Sequence, residues 1–225
     1  MKKSLLIVLF TCFSLSFFGQ VYEAGFFIGG TNYVGDIGRT NYIYPNKPGG
    51  AVIFKWNWNP RMALRATYSF LPIEGNDKYA DTYFKRKRGL EFSNTIHELA
   101  AGMEYNFYEY DLSSYDKIAT PYILIEVARF NYKSITSISA TGVYNYANKA
   151  SYSIPFGVGY KSKLFGALAF AIEAKFRYTF EDDLDYSTAR IPTLDFGTNG
   201  KDWYMFTGFS LVYTFGRPAC YTNGL

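Results

Sequence analysis

The sequence predicts an all-β protein, a transmembrane antiparallel up-and-down β-barrel of about eight strands that follows a cleaved N-terminal signal peptide. Three observations predict it. Apolar residues alternate with small or charged residues in one segment after another, long and short connections follow each other in turn, and aromatic residues make up 20% of the chain. This aromatic content exceeds what a compact soluble core of this size needs. We therefore expect the dry face of the sheet to meet lipid.

Residues 1–20 have the layout of a secretory signal peptide. Lys2 and Lys3 precede an apolar run from Leu5 to Phe18, and Gly19 and Gln20 follow. The run is too short to cross a bilayer comfortably, and an uncleaved anchor helix is the alternative. The sequence thus predicts a signal peptide over 1–20, an outer-membrane barrel over 21–216 and a periplasmic C-terminal tail over 217–225.

The predicted strands follow the alternation along the chain. The clearest segments are 52–58, 62–70, 97–107, 168–178 and 203–215, and the weaker ones are 22–28, 121–132 and 154–161. In segment 62–70, Met62, Leu64, Tyr68 and Phe70 share one parity and Arg65 lies on the other. Because successive side chains of a strand point to opposite faces, we place the apolar parity on lipid and Arg65 inside.

The connections set the orientation of the barrel. The odd connections are long, at 31–50, 72–91, 133–150 and 181–201, and the even ones are shorter, at 59–60, 110–119 and 162–166. Outer-membrane barrels have long outer loops and short periplasmic turns, so the first and last strands of the predicted barrel begin and end at its periplasmic side. The predicted aromatic girdles are periplasmic (Trp56, Trp58, Tyr105, Phe107, Tyr213, Phe215) and outer (Phe176, Tyr178, Phe180, Trp203).

The predicted interior is charged. The inward parity carries Arg65, Glu98, Glu104, Glu173, Lys175 and Arg177. A barrel this narrow is filled by side chains, so we expect ion pairs, with Arg65 bound to Glu98 or Glu104, and no useful pore. A proton or ion path is the alternative.

Candidate chemistry is sparse. His97, the single histidine, lies on the lipid-facing parity and has no serine two residues away; an interfacial histidine is the alternative to a lipid A-modifying enzyme. The acidic run 181–185 lacks the spacing of a calcium loop, and we expect a solvated loop. The basic run 85–88 either meets lipopolysaccharide phosphates or is a solvated loop arm. We expect no enzyme activity, no catalytic or metal residues, no cofactor and no nucleic-acid partner.

Five segments resemble the PorG family of Bacteroidota: GGTNYVGDIG (29–38), KRGLEFSNTIHELAAGMEYNFYEY (87–110), IPFGVGYKSKL (154–164), FRYTFEDDLDY (176–186) and DWYMFTGFSLVYTFGRPACY (202–221). Members of that family are outer-membrane barrels of the type IX secretion system. The resemblance implies a structural, non-catalytic component that associates with outer-membrane lipid and with a periplasmic ring containing a lipoprotein. A binding or adhesion barrel that works through its outer loops is the alternative.

The tail carries the candidate partner residues Arg217, Cys220 and Tyr221. Once Cys12 leaves with the signal peptide, Cys220 is the only cysteine of the mature chain. A leftover cysteine in an exported chain indicates an intermolecular disulfide or a free thiol. We predict a disulfide to a ring lipoprotein, flanked by contacts from Arg217 and Tyr221; a thiol packed at the barrel rim is the alternative.

Overall fold

The computed structural model describes residues 21–111, 118–140, 142–187, 191, 194 and 200–216. Within them, strands β1 to β8 each pair antiparallel with the next, and β1 pairs with β8 to close a barrel. The strands are β1 (Val21–Val34), β2 (Lys47–Asn59), β3 (Met62–Asn76), β4 (Glu91–Asn106), β5 (Ala119–Ile138), β6 (Tyr144–Phe165), β7 (Leu168–Thr179) and β8 (Trp203–Gly216). The predicted fold class is confirmed.

The two faces of the barrel are those that the alternation predicts. On β3, Tyr68 and Phe70 are 49% and 45% exposed, whereas Arg65 is 3% exposed. The outward parity of the other strands likewise exposes large apolar side chains, among them Phe26, Ile28, Val52, Phe54, Leu99, Ile125, Val127, Val158, Ile172, Phe209 and Leu211. A continuous apolar surface around a closed barrel is suited to a lipid environment. The protein is therefore a barrel of the bacterial outer membrane.

The ends of the barrel differ in their connections. At the short-turn end β2 connects to β3, β4 to β5 and β6 to β7. At the opposite end the first outer connection joins β1 to β2 (35–46) and the second joins β3 to β4 (77–90), while β5 connects to β6 and β7 to β8. Val21 pairs with Gly216, so both strand termini lie at the short-turn end. By the rule for outer-membrane barrels that end faces the periplasm. No helix in the described part of the chain has the length and apolar character to span a membrane.

One predicted outer loop is a strand pair instead. Residues 133–150 were expected to form a loop, but β5 extends to Ile138 and β6 starts at Tyr144, so the two strands form a long hairpin there. The segment is rich in isoleucine, serine, threonine and tyrosine, and Gly142 adopts φ 80 in the turn. These residues favour a hairpin over an open loop. The hairpin extends beyond the membrane, since residues 142–148 are exposed on both parities.

The barrel interior has two layers. Its outer half holds a buried apolar cluster that includes Phe27, Leu71, Ile96, Phe130, Tyr204 and Phe206. Its middle and periplasmic half hold charged side chains. The apolar layer has the Phe27 and Phe206 rings 4.5 Å apart, edge to face. Because both layers are packed with side chains, the interior has the filled character expected for eight strands.

Candidate functional site

Ten charged side chains from the strands meet inside the barrel, each no more than 3% exposed. Five are cationic (Lys55, Arg65, Lys161, Lys175, Arg177) and five are carboxylates (Glu23, Glu98, Glu104, Glu126, Glu173). A buried charge is tolerated only when it is paired and hydrogen-bonded. The equal numbers let the network neutralise itself.

Glu104 on β4 is the centre of the periplasmic part of this network. Its carboxylate accepts from Lys55 Nζ at 2.8 Å and from Lys161 Nζ at 2.6 Å. Arg65 Nη1 lies 3.4 Å from it. Three cations from β2, β3 and β6 thus converge on one carboxylate, which joins opposite walls of the barrel.

Arg65 extends the network across the lumen to β7. Its guanidinium Nη2 lies 3.2 Å from Glu173 Oε1, and Tyr122 donates its hydroxyl hydrogen to Glu173 Oε2 at 2.7 Å. Lys175 Nζ binds Glu126 at 2.7 Å. The predicted pairing of Arg65 with Glu104 is therefore present, and its shorter contact is to Glu173.

The predicted alternative partner of Arg65, Glu98, pairs elsewhere. Arg177 Nη2 on β7 donates to Glu98 Oε1 at 3.0 Å, and the Tyr204 hydroxyl donates to Glu98 Oε2 at 2.6 Å. Of the two predicted partners of Arg65, Glu98 is not used, because it lies opposite Ser69 on β3, four residues along β4 from the level of Arg65. Cross-lumen distances depend on barrel closure, which alternation along one strand does not reveal.

The sequence analysis did not single out Lys55, Lys161, Glu126 or Glu23 as members of this network. Lys55 lies on the inward parity of the clear segment 52–58, and the other three lie in segments whose alternation is weak. Glu126 nevertheless follows the inward parity with Leu124 and Ala128. A charged residue between the apolar residues Ile125 and Val127 was the available signal.

The acidic run 181–185 is packed into the outer end of the barrel. The expectation of a solvated loop was wrong: Leu184 is fully buried, and Asp183 and Asp185 are buried beside it. Lys149 Nζ from the long hairpin binds Glu181 at 2.6 Å and Asp183 at 2.9 Å. Leu184 anchors the run because it joins the apolar cluster inside the barrel. Across the described residues, no group of carboxylates, histidine or cysteine is placed to hold a metal ion.

Two carboxyl groups of the outer connections have shifted acidities. Burial, aided by the nearby charge of Asp185, raises the pKa of Asp202 to about 8. Burial, with the charges of Asp185 and Asp182, raises the pKa of Asp36 to about 6. Asp202 Oδ2 also accepts the Leu184 amide hydrogen at 2.9 Å. Burial therefore favours the protonated form of both groups over that of a solvated aspartate.

The basic run 85–88 holds the outer connections together. It lies on helix α1 (Tyr83–Arg88), where Arg88 Nε binds Asp77 Oδ2 at 2.8 Å and Arg88 Nη2 binds the Asp36 carbonyl at 2.7 Å. Lys85 Nζ donates to the carbonyls of Gly35 and Gly38 at 3.0 and 3.3 Å. These cations therefore join the first and second outer connections. Neither prediction for the run, a solvated loop arm or a site for lipopolysaccharide phosphates, included this role.

Comparison with known proteins identifies the family. The model of a domain of unknown function, DUF6089, matches residues 2–224. The chain belongs to the DUF6089 family. No curated protein matches it.

The DUF6089 chain is also similar to solved outer-membrane proteins. One is the attachment invasion locus protein Ail of Yersinia pestis, with 12% identity over 88% of this chain and 99% of that one and a TM-score of 0.47. Another is the N-terminal β-barrel domain of Pseudomonas aeruginosa OprF, with 13% identity over 88% of this chain and 98% of that one and a TM-score of 0.47. A major outer membrane protein of Thermus thermophilus has 12% identity over 87% of this chain and 99% of that one, with a TM-score of 0.48. The topology of the DUF6089 barrel follows from its own strand pairing.

His97 lies on the outer surface of the DUF6089 barrel, as the sequence predicts. Its Nδ1 is 3.0 Å from the Tyr68 hydroxyl, and its ring packs edge-on against Phe70 at 5.3 Å. Both partners belong to the neighbouring strand β3 and face outward. This is the environment of an aromatic girdle residue, with the polar tip of a tyrosine as its hydrogen-bond partner.

The periplasmic rim of the DUF6089 barrel presents aromatic side chains and one ion pair. Trp58 and Tyr108 are each 64% exposed, and Arg61 Nη2 lies 3.3 Å from Glu109 Oε1. The predicted signal peptide and the predicted partner residues Arg217, Cys220 and Tyr221 lie outside the described residues. The last described residue, Gly216, is at this rim.

Proposed function

We propose that this protein is a PorG-type structural component of the type IX secretion system, which anchors a periplasmic ring containing a lipoprotein to the outer membrane. The observation that carries the proposal is the filled interior. Ten buried charges neutralise one another there, beneath an apolar cluster. Such a barrel is suited to holding a partner at the membrane and unsuited to conducting a substrate. The resemblance of five segments to the PorG family supports the same role.

The partner surface we propose is the periplasmic rim with the tail. Tyr108 and Trp58 supply exposed aromatic area of the kind that dominates protein interfaces. Arg217 and Tyr221 add contacts, and Cys220 forms a disulfide to the ring lipoprotein. A covalent link would hold the assembly together even where the noncovalent interface is small.

Deletion of the gene tests the role in secretion. We expect export of cargo with the carboxy-terminal type IX signal to stop, while detergent sensitivity of the outer membrane stays at the wild-type level. The loss is expected because the ring would have no attachment to the membrane. Unchanged cargo export in the deletion strain would contradict the proposal.

A non-reducing gel of whole membranes tests the disulfide separately. The wild-type protein is expected to migrate as a reductant-sensitive adduct with a lipoprotein, and the Cys220→Ser variant as a monomer. A wild type that runs at monomer mass, or an adduct that survives in Cys220→Ser, would show that the tether is absent. The anchoring role does not depend on this result, because cargo export in the deletion strain tests it separately.

An adhesin-like role is the second candidate, favoured by the exposed aromatic residues Tyr83 and Phe84 on helix α1, 73% and 75% exposed. Replacing residues 81–88 with a glycine-serine linker separates the two. An adhesin would lose surface attachment, and an anchor would keep cargo export.

A lipid A-modifying activity at His97 would require a changed lipid A mass spectrum in a His97→Ala strain.

A further inference from the structure

The outer end of the barrel contains a cavity of about 840 Å³. Its walls come from the first and second outer connections, the outer ends of β1, β3 and β4, the tip of the long hairpin and Tyr186. Ligand sites of proteins have volumes of this order. The cavity lies at the opposite end of the barrel from the proposed partner surface, so it is independent of the anchor.

Five tyrosines line the cavity: Tyr33, Tyr44, Tyr79, Tyr146 and Tyr186. Tyr33 is buried, whereas Tyr44, Tyr79 and Tyr146 are about half exposed. Arg39 lies over one face of Tyr44 and of Tyr79, and a ligand would use the opposite faces. The Tyr146 and Tyr186 rings meet edge to face with centroids 5.3 Å apart. Tyrosine rings combine an apolar face with a polar hydroxyl, which suits ligands that are themselves apolar on one face and polar at the edge.

Tyr186 is held in place against its backbone preference. Its φ of 69 lies in the left-handed region, which is uncommon for a bulky residue and marks positions that the surrounding structure fixes. Its hydroxyl donates to the Ser93 carbonyl at 3.0 Å, and its ring meets Phe92 edge to face. The ring is therefore a fixed part of the wall.

The cavity also holds one unused acceptor and one unused donor. Asn32 Nδ2 donates to the carbonyls of Asn41 and Tyr42 at 3.0 and 3.2 Å, which fixes its amide, and its buried Oδ1 has no hydrogen-bond partner. Arg39 Nε is likewise buried without an acceptor, and the Arg39 guanidinium lies over the Tyr44 ring at 4.3 Å. Buried polar atoms left without partners are costly. Asn32 and Arg39 thus make the wall of the cavity polar beside its tyrosine rings.

The charges of the cavity argue against an anionic ligand. Arg39 is the cation among its lining residues, and the carboxylates Glu74 and Glu91 line it too. Glu74 pairs with Lys47 at 2.7 Å, and Glu91 accepts from Asn76 at 2.9 Å. Since Lys47 neutralises Glu74, Arg39 and Glu91 balance each other, and the lining offers a phosphate or sulfate no net positive charge. A neutral ligand rich in hydroxyl groups fits both this balance and the amide, carboxylate and hydroxyl side chains of the lining.

We propose that this cavity binds a neutral oligosaccharide at the cell surface. The apolar face of a sugar ring stacks on Tyr44 or Tyr79, and its hydroxyls bind exposed polar side chains of the wall, among them Asn41 and Glu91. A peptide fits less well, because its amide groups arrive in a fixed alternation along the chain, whereas a sugar ring presents hydroxyls around its edge and C–H groups on its face.

The test uses the full mature chain in phospholipid nanodiscs, free of glycosidic detergents that would compete. The probes are maltotriose, cellotriose, triacetylchitotriose and mannotriose, with glucose 6-phosphate and trialanine as comparison ligands, and binding is followed by saturation-transfer NMR and calorimetry. We expect at least one trisaccharide to bind with a Kd of about 1 mM or below. The variants Tyr44→Ala and Tyr79→Ala should weaken it about tenfold.

Tyr83→Ala is the matched control, because Tyr83 is an exposed tyrosine of the same outer connections that does not line the cavity. It should bind as the wild type does. The proposal is overturned if none of the four trisaccharides binds, if glucose 6-phosphate or trialanine binds in their place, or if Tyr83→Ala weakens binding as much as the cavity variants. None of these results bears on cargo export.

Discussion

Glu98 and Arg177 carry opposite charges where water does not reach, and each is the principal partner of the other. Replacing Glu98 with leucine leaves the guanidinium buried without its carboxylate. We expect the free energy of unfolding to fall by about 3–5 kcal/mol. The double variant Glu98→Leu/Arg177→Leu should recover a large part of this loss, since no uncompensated charge remains. Urea unfolding in phosphatidylcholine vesicles, followed by tryptophan fluorescence, measures both.

Arg61→Ala is the control for that series, because its pair with Glu109 is exposed to solvent. We expect a change within about 1 kcal/mol. If Glu98→Leu changes stability no more than Arg61→Ala does, the charged interior is not a coupled structural network.

Asp202 predicts a pH dependence with a definite sign. Its pKa of about 8 in the folded chain is well above the value of about 3.9 for an unfolded aspartate, so folding favours the protonated form. Stability from this group is therefore full below about pH 4 and is lost as the pH rises toward 8. The variant Asp202→Asn should gain stability relative to the wild type between about pH 5 and pH 8. A difference that stays constant over this range in urea unfolding would refute the assignment.

At the scale of elements, the sequence predicts the strands better than what lies between them. Alternation places Tyr68 outside and Arg65 inside correctly, because a one-residue error would expose charge to lipid. It does not locate Lys149 beside Glu181, nor Arg177 beside Glu98, because those contacts depend on how distant strands meet. The periplasmic tail with Cys220 stays a prediction.

The β5–β6 hairpin is an element that alternation alone placed wrongly, and it supplies Tyr146 to the cavity wall. Replacing residues 135–146 with Asn-Gly joins Ser134 to Ala147, which are already paired, through a two-residue turn. We expect the barrel to fold, since the removed residues lie outside the membrane. Heat-modifiable migration on gels should persist while trisaccharide binding falls. Loss of heat modifiability would show that the hairpin is needed for the barrel.

At the scale of the whole molecule, the filled interior predicts the absence of a pore. Planar bilayers containing the purified protein should show no steady large open channel, because charged and apolar layers both occupy the lumen. The variant Arg65→Ala/Glu173→Ala shortens two side chains at mid-barrel. Its conductance shows how large a current an opened lumen would give, and the wild-type current is compared with it. A stable large conductance in the wild type would mean that the lumen conducts.

The central claim is that the periplasmic rim, and no outer surface, binds a ring lipoprotein. A photo-crosslinking amino acid in place of Tyr108 at the periplasmic rim tests it in intact cells, and the same amino acid in place of Tyr83 at the outer end is the control, since both tyrosines are exposed. The account predicts a crosslink from position 108 to a periplasmic lipoprotein and none from position 83. Absence of that adduct at position 108, or the same adduct from both positions, would contradict the account.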